Sequence, residues 1–291
     1  MTDNTDALLQ RVRAIMPDQE IEQFEIDPEG LINEVVIVNQ KYVFRFARTE
    51  AYARILDIEL KILDLIRPHI GVSVPKPIYV NADSMVYPLL GGQPLSRKMV
   101  LEFDESTQNH IAGQLGAFLY RLHTMDISKV DLEIPSTHAP VKRQNWLDIR
   151  ERVKDKIYPL IQKYQIEWVE DLFNRVLEDP ESSEWKPALI HGDLASYHIL
   201  IDAPARKITG VIDFGMAGMG DAASDIGGLI SIYGESFVKR MHSSYPHLES
   251  YIPRARFYAQ LLELEWILRG LETGETFWFT AHLGGARDVH A

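Results

Sequence analysis

The 291-residue chain has no cysteine, which excludes a disulfide framework, a thiolate metal centre and cysteine-based redox chemistry. It has no apolar run of the ~20 residues that a membrane span needs. Residues 1–17 mix acids, amides and arginines with short apolar pairs and lack the apolar block of a secretory signal, so the cytoplasm is the expected compartment. Basic side chains are in deficit, 30 against 42 acidic, for a net charge of −12. That balance argues against a polyanionic partner such as nucleic acid and suits a cationic small molecule, although surface carboxylates also serve simply to keep a protein solvated. Internal repeats and low-complexity tracts are absent, as are a Gly-x-Gly-x-x-Gly or Walker loop ahead of the second strand.

What is present is a chain with 46% hydrophobic residues, enough for more than one core. Glu22–Ile26, Glu34–Asn39 and Lys41–Arg48 are β-branched or aromatic runs separated by the turn-like Asp27-Pro28-Glu29-Gly30 and Asn39-Gln40, which predicts an antiparallel meander. Ile55, Ile58, Ile62, Leu63 and Ile66 recur at helical spacing, so a helix over 51–66 is expected to pack on that sheet. Ile78–Val80 and Met85–Leu90 supply further strands. Gly91-Gly92-Gln93-Pro94 then reads as a flexible join, placing a boundary between lobes 1–92 and 93–291. Beyond it, Ile111, Leu115, Phe118, Leu119 and Leu122, then Trp146, Ile149, Val153, Ile157 and Leu160, mark helical faces, and a last helix is expected over 255–271, stopped by Gly274.

Short apolar runs interrupt the helical half and abut charged clusters. His191-Gly192-Asp193-Leu194-Ala195-Ser196-Tyr197-His198 lies between Ala188–Ile190 and Ile199–Ile201, so its polar groups are presented from a loop anchored on both sides. The run Ile208–Ile212 ends at Asp213-Phe214-Gly215. A carboxylate at a strand end suits magnesium, which takes carboxylate oxygen and leaves other positions to water and phosphate.

At these residues the chain resembles the aminoglycoside and macrolide phosphotransferase family, whose loop reads His-Gly-Asp-x-x-x-x-Asn and is followed by Ile-Asp-Phe or Ile-Asp-Trp. Asp221-Ala222-Ala223-Ser224-Asp225 resembles the family's Asp-Pro-Ala-x-Asp, and Leu115–Leu119 with Leu122-His123 resembles its lobe-linking helix. The resemblance implies an α+β, two-lobed protein-kinase-like fold, with a small antiparallel-sheet N-terminal lobe and a larger, mainly helical C-terminal lobe. It implies a kinase that moves the γ-phosphate of ATP or GTP onto a hydroxyl, with Asp193 as base, Asp213 on magnesium (manganese being possible), and His191 bracing the loop. In the first lobe Arg45 is implied as the phosphate-contacting base with Glu59 as its partner. With no glycine-rich loop, phosphate cradling is expected of the turn Asp27–Asn33, with Gly30 and Asn33, through backbone N–H groups, and Tyr87, Leu89 and Leu90, just ahead of the join, are candidates to contact the nucleotide base through backbone groups. Asp221 and Asp225 are expected to organise the metal loop by hydrogen bonds.

Two positions depart from the pattern. His198 stands at the metal-binding asparagine, offering a softer nitrogen donor, and Arg45 stands where many such kinases have lysine. The acceptor is expected to be an aminoglycoside-like antibiotic, with a macrolide or a choline- or homoserine-like metabolite as alternatives. Glu263 and Trp266 on the last helix, and Glu235, are candidates to hold its amines. Two readings of another class use the same letters. One is a two-metal phosphoesterase built on His191, Asp193, His198 and Asp213; the other is a pseudokinase that binds nucleotide without turning it over.

Overall fold

The computed structural model describes residues 2–27, 33–127, 139, 142–178 and 185–274. Its first element is a helix, α1 (Thr2–Ile15), followed by β1 (Phe24–Asp27), β2 (Asn33–Val38), β3 (Tyr42–Ala47), α2 (Glu50–Ile66), β4 (Tyr79–Val80) and β5 (Ser84–Pro88). The strands form one antiparallel sheet in the order β1-β2-β3-β5-β4. The turn between β2 and β3 has positive φ at Asn39 and Gln40, 54° and 51°, and closes with the Lys41 amide donating to the Val38 carbonyl at 2.9 Å. Asn39 also accepts the Glu22 and Gln23 amides through its side chain, tying β1 to the turn.

Strand alternation divides the sheet into two faces. Val36, Val38, Phe44, Phe46 and Val86 pack with Leu8 and Val12 of α1. Val43, Met85 and Tyr87 turn the other way, against Leu56 of α2. Helix α1, over a stretch whose sequence predicts neither strand nor helix, is therefore the cover of the sheet's outer face. Arg11 adds a guanidinium 4.1 Å from the Phe46 ring centroid. Helix α2 begins on its cap, Thr49 Oγ1 accepting the Tyr52 amide, and turns Ile62, Leu63 and Ile66 into the main core.

The remainder is mainly helical: β6 (Gln93–Pro94), α3 (Arg97–Glu102), α4 (Glu105–His123), α5 (Arg143–Lys156), α6 (Lys163–Leu177), β7 (Ala188–Ile190), β8 (Ile199–Asp202), β9 (Lys207–Val211), β10 (Gly218–Gly220), α7 (Ala223–Tyr233), α8 (Glu235–Lys239) and α9 (Leu248–Thr273). Helix α4 buries Ile111, Leu115, Phe118, Leu119 and Leu122 in the main core. A second core forms around Trp146, Phe173 and Phe257, with Trp146 edge-on to Phe257 at 5.0 Å. Helix α9 starts earlier than its apolar pattern predicts and runs through Pro253; it ends at Gly274, whose φ of 74° is the left-handed conformation glycine adopts freely.

Two small antiparallel pairings set up the polar loops. β8 pairs with β9, Ile199 opposite Val211, and β7 pairs with β10, Ile190 opposite Gly218. The Asp193 loop spans β7 to β8, and Asp213 follows β9. Leu8→Ala removes the buried contact of α1 with the sheet and is expected to cost about 2–5 kcal/mol in urea unfolding; a loss below about 0.5 kcal/mol, the usual scale of a surface change, would mean that α1 is not packed there.

Candidate active site

The loop carrying Asp193 is held from below by one buried carboxylate. Asp225, in the first turn of α7, accepts the His191 amide at 2.8 Å and the Gly192 amide at 2.9 Å. His123 of α4 lies 3.0 Å from the same carboxylate through Nε2, and its Nδ1 lies 2.9 Å from the Tyr245 hydroxyl. Burial alone would raise the Asp225 carboxyl, but His123, His191 and the loop amides outweigh it and hold the group below the usual range. Gly192 has φ 80°, and a Cβ there would stand 2.3 Å from the Met216 carbonyl oxygen, so the position admits only glycine.

His191 uses both ring nitrogens on backbone. Nε2 donates to the Ile212 carbonyl at 3.1 Å, and Nδ1 accepts the Asp193 amide at 3.2 Å. The ring thus ties the Asp193 loop to the strand end before Asp213. Burial depresses its basicity, which keeps it neutral. With both nitrogens committed, His191 has no lone pair for a cation, and the two-metal phosphoesterase reading loses a ligand.

Asp213 sits in the left-handed region with φ 61°, an uncommon conformation for a non-glycine residue, and its side chain is 41% exposed. Arg45 reaches it from β3: Nη2 is 3.1 Å from Asp213 Oδ1, while Nη1 is 2.6 Å from Glu59 Oε1 on α2. Arg45 and Glu59 are buried, with side chains 5% and 0% exposed. Burial would push the Asp213 carboxyl up, but the Arg45 guanidinium outweighs it and holds the group down to about 2. His198 completes the group. Its Nδ1 donates to the Asp193 carbonyl at 2.7 Å, so the neutral ring carries its lone pair on Nε2, 3.6 Å from Asp213 Oδ2. The nitrogen and the carboxylate oxygen therefore converge as a donor pair that fits a divalent cation.

The other expected residues divide. Gly30 lies outside the described residues. Asn33 opens β2 on the sheet face shared with Arg45, and its buried Oδ1 has no hydrogen-bond partner among the described residues. Tyr87 is buried on that same face, its phenol raised by burial. The Leu89 amide is donated to the Lys41 carbonyl at 2.7 Å, which leaves its carbonyl as the backbone group open to a base. Leu90 packs beside it, bordering a cavity of about 650 Å³ that is also lined by Gly92, Gln93, Ile201, Ile208 and Thr209. None of Arg45, Asp193, His198 and Asp213 lines this cavity, so it is separate from the converging polar groups.

Asp221 and Asp225 act at different places. Asp225 braces the Asp193 loop, and Asp221 accepts both Nε and Nη2 of Arg254 at 3.0 and 3.2 Å, pinning α9 to the start of α7. Glu235 is a correction. Its fully buried carboxylate is taken by Arg256 at 2.6 and 2.7 Å and by Lys239 at 2.7 Å, which removes it as an acceptor contact. Glu263 is exposed and Trp266 half-buried, three residues apart on one side of α9. The Asp225 partner His123 and the Asp221 partner Arg254 carry no role in the sequence reading. His123 was visible only as part of the Leu122-His123 pattern, and Arg254 gives no local signal because its partner is 33 residues away.

Residues 23–258 match the profile of the "Phosphotransferase enzyme family". The chain belongs to that family. It is similar to the viomycin phosphotransferase of Streptomyces vinaceus, 26% identical over 225 residues that cover 73% of this chain and 75% of that protein. In three dimensions it is similar to the GDP complex of wild-type aminoglycoside 2'-phosphotransferase-IIIa, with TM-score 0.83, 25% identity and 95% of each chain covered. A macrolide 2'-phosphotransferase type I shares the fold at TM-score 0.75 and 21% identity, over 97% of this chain and 96% of the other. This phosphotransferase thus has the kinase-like architecture of a small antiparallel-sheet lobe and a helical remainder.

Two outcomes are expected of the site's framework. Glu59→Ala leaves the buried guanidinium without its shorter partner and is expected to cost about 3–5 kcal/mol in chemical unfolding. Because folding makes His191 harder to protonate, the unfolded chain takes the proton first. Its stabilising effect is whole above about pH 6.5 and falls as pH drops below that value. Unfolding free energy should therefore decline from pH 7.5 to 6 more steeply in the wild type than in His191→Gln; equal slopes would contradict the assignment.

Proposed function

We propose that this phosphotransferase moves the γ-phosphate of ATP or GTP onto a hydroxyl of an amine-bearing antibiotic, an aminoglycoside-like acceptor first and a macrolide second. The observation that carries the proposal is the convergence of Asp193, His198, Asp213 and Arg45 in one linked polar group. Asp193, with a side chain 35% exposed, is the group that orients the acceptor hydroxyl and receives its proton. The acceptor oxygen forms a bond to Pγ as the bond from Pγ to the bridging β-oxygen breaks, and the nucleoside diphosphate leaves. Since the transition state is loose, alignment and charge neutralisation contribute more than proton removal.

Arg45 is the cation that meets the phosphates, kept in place by Glu59. Asn33, with Gly30 before it, is assigned to the phosphate side, and its buried Oδ1, without a hydrogen-bond partner among the described residues, supports a role toward a ligand. Tyr87, Leu89 and Leu90 are assigned to the nucleotide base. His198 Nε2 and Asp213 Oδ2 are the atoms that would hold magnesium, or manganese in its place. The cation, when bound, neutralises phosphate charge.

Relatives named for viomycin, aminoglycosides and macrolides support an antibiotic acceptor, and the acidic balance of the chain supports a cationic one. Glu263 and Trp266 remain its proposed contacts. A choline- or homoserine-like metabolite is the second reading, because the phosphate machinery does not fix the acceptor.

A coupled assay of diphosphate release, run with ATP and GTP separately against aminoglycosides, macrolides, cyclic peptide antibiotics and small amino alcohols, tests the reading. Asp193→Asn is expected to lower kcat by roughly 10²–10⁴-fold while nucleotide affinity is retained. A full rate in that variant would remove Asp193 as base, and nucleotide binding without turnover on any acceptor would favour the binding-only reading.

A further inference from the structure

We propose that Tyr197 is a specificity-determining residue, the aromatic platform on which a ring of the acceptor rests beside Asp193. The inference rests on the phosphotransferase reading above and adds to it the residue and the acceptor chemistry. Within the Asp193 loop, Leu194 and His198 are buried and Asp193 is only half-exposed, whereas Tyr197 is 58% exposed. It is the one exposed side chain from His191 to Leu200.

Its position is fixed rather than floppy. The Ala195 amide donates to the Asp193 carbonyl at 2.9 Å, the His198 amide donates to the Ala195 carbonyl at 3.0 Å, and His198 Nδ1 closes the loop on the Asp193 carbonyl. Tyr197 lies inside that closed turn, Ser196–His198 forming a single tight helical turn. Its ring meets His198 edge to face, with centroids 4.4 Å apart and planes at 79°. One side of the tyrosine is thus seated on His198, and most of its surface stays open to solvent, four residues from Asp193. A pre-positioned aromatic surface costs little further entropy when a ligand covers it. Its π-face attracts the polarised C–H groups and ammonium groups of a ring bearing amines, and excludes water as it does so. The platform therefore selects a rigid, amine-bearing ring over an open-chain amino alcohol, which presents no flat surface to cover.

The test separates this role from a merely structural one, in which Tyr197 only steadies His198. Tyr197→Ala, Tyr197→Phe and the wild type are compared with the best cyclic acceptor found for the wild type, measuring acceptor KM, nucleotide KM, kcat and magnesium dependence. Titration calorimetry of the same acceptor into Asp193→Asn, with and without Tyr197→Ala, adds a readout that does not need turnover. Tyr197→Ala is expected to raise acceptor KM and Kd by roughly tenfold, with kcat, nucleotide KM and metal dependence little changed, and Tyr197→Phe is expected to restore acceptor affinity. An unchanged acceptor Kd in Tyr197→Ala overturns the proposal while leaving the phosphotransferase reading intact. A shift in nucleotide KM or metal dependence with acceptor KM unmoved assigns Tyr197 to the support of His198 and overturns it as well. A wild type that phosphorylates none of the acceptors overturns both readings together.

Discussion

A buried guanidinium between two carboxylates from distant parts of the chain fixes the geometry on which the rest of the site depends. Arg45 touches Glu59, 14 residues on, and Asp213, 168 residues on. Burying a charge is tolerable only where partners replace the lost water, so the three groups require one another. β3 must present Arg45 on the face away from α1, α2 must turn Glu59 inward, and the strand end after β9 must deliver Asp213. Arginine suits this arrangement because its fork holds one carboxylate on each terminal nitrogen, 2.6 and 3.1 Å away, whereas a lysine ammonium is a single point. In the proposed reaction the same cation faces the phosphates, so the framework that holds the sheet to Asp213 is also the electrostatic machinery.

The second constraint acts from the helical side. Asp225 holds two successive amides of the Asp193 loop, and His123 holds Asp225. His191 then links the loop to Ile212, immediately before Asp213. The two carboxylates assigned to the proposed reaction, Asp193 and Asp213, therefore share one hydrogen-bonded support rather than standing on independent loops. Such second contacts limit how far a catalytic group drifts, and drift matters where catalysis is mostly alignment.

The strands around both carboxylates were legible because their signals are local: short apolar runs, Ala188–Ile190, Ile199–Ile201 and Ile208–Ile212, each abutting a polar cluster, and a motif whose spacing survives in the fold. Helix α1 was not legible. Its apolar content is a thin stripe of Leu8, Leu9 and Val12 in an otherwise polar helix, and the sheet face it covers is made of residues more than twenty positions away. Glu59 lies among Asp57 and Lys61, letters that read as a solvated helix face; Arg45 on a neighbouring strand is the charge that makes its burial tolerable. Glu235 misled in the opposite sense, since a carboxylate in the acceptor half looks available until Arg256, a turn and a helix later, closes on it. For Glu59 and Glu235 the deciding partner is an ion pair with a residue distant in sequence, and for α1 it is a distant apolar sheet face; periodicity and spacing carry neither.

The exchange of asparagine for histidine at position 198 has a consequence beyond donor softness. An amide oxygen offers two lone pairs and tolerates some rotation, whereas a neutral imidazole offers one lone pair in the plane of a rigid ring. That lone pair is useful only if the ring's tautomer and tilt are both set. Here they are set by the Asp193 carbonyl, which takes the Nδ1 proton and leaves Nε2 facing Asp213. The residue that serves as base in the proposed reaction thereby orients the proposed metal ligand through its own backbone. Any movement of Asp193 would tilt His198, and the alignment of the acceptor hydroxyl and the placement of the phosphate-neutralising charge are one mechanical unit rather than two.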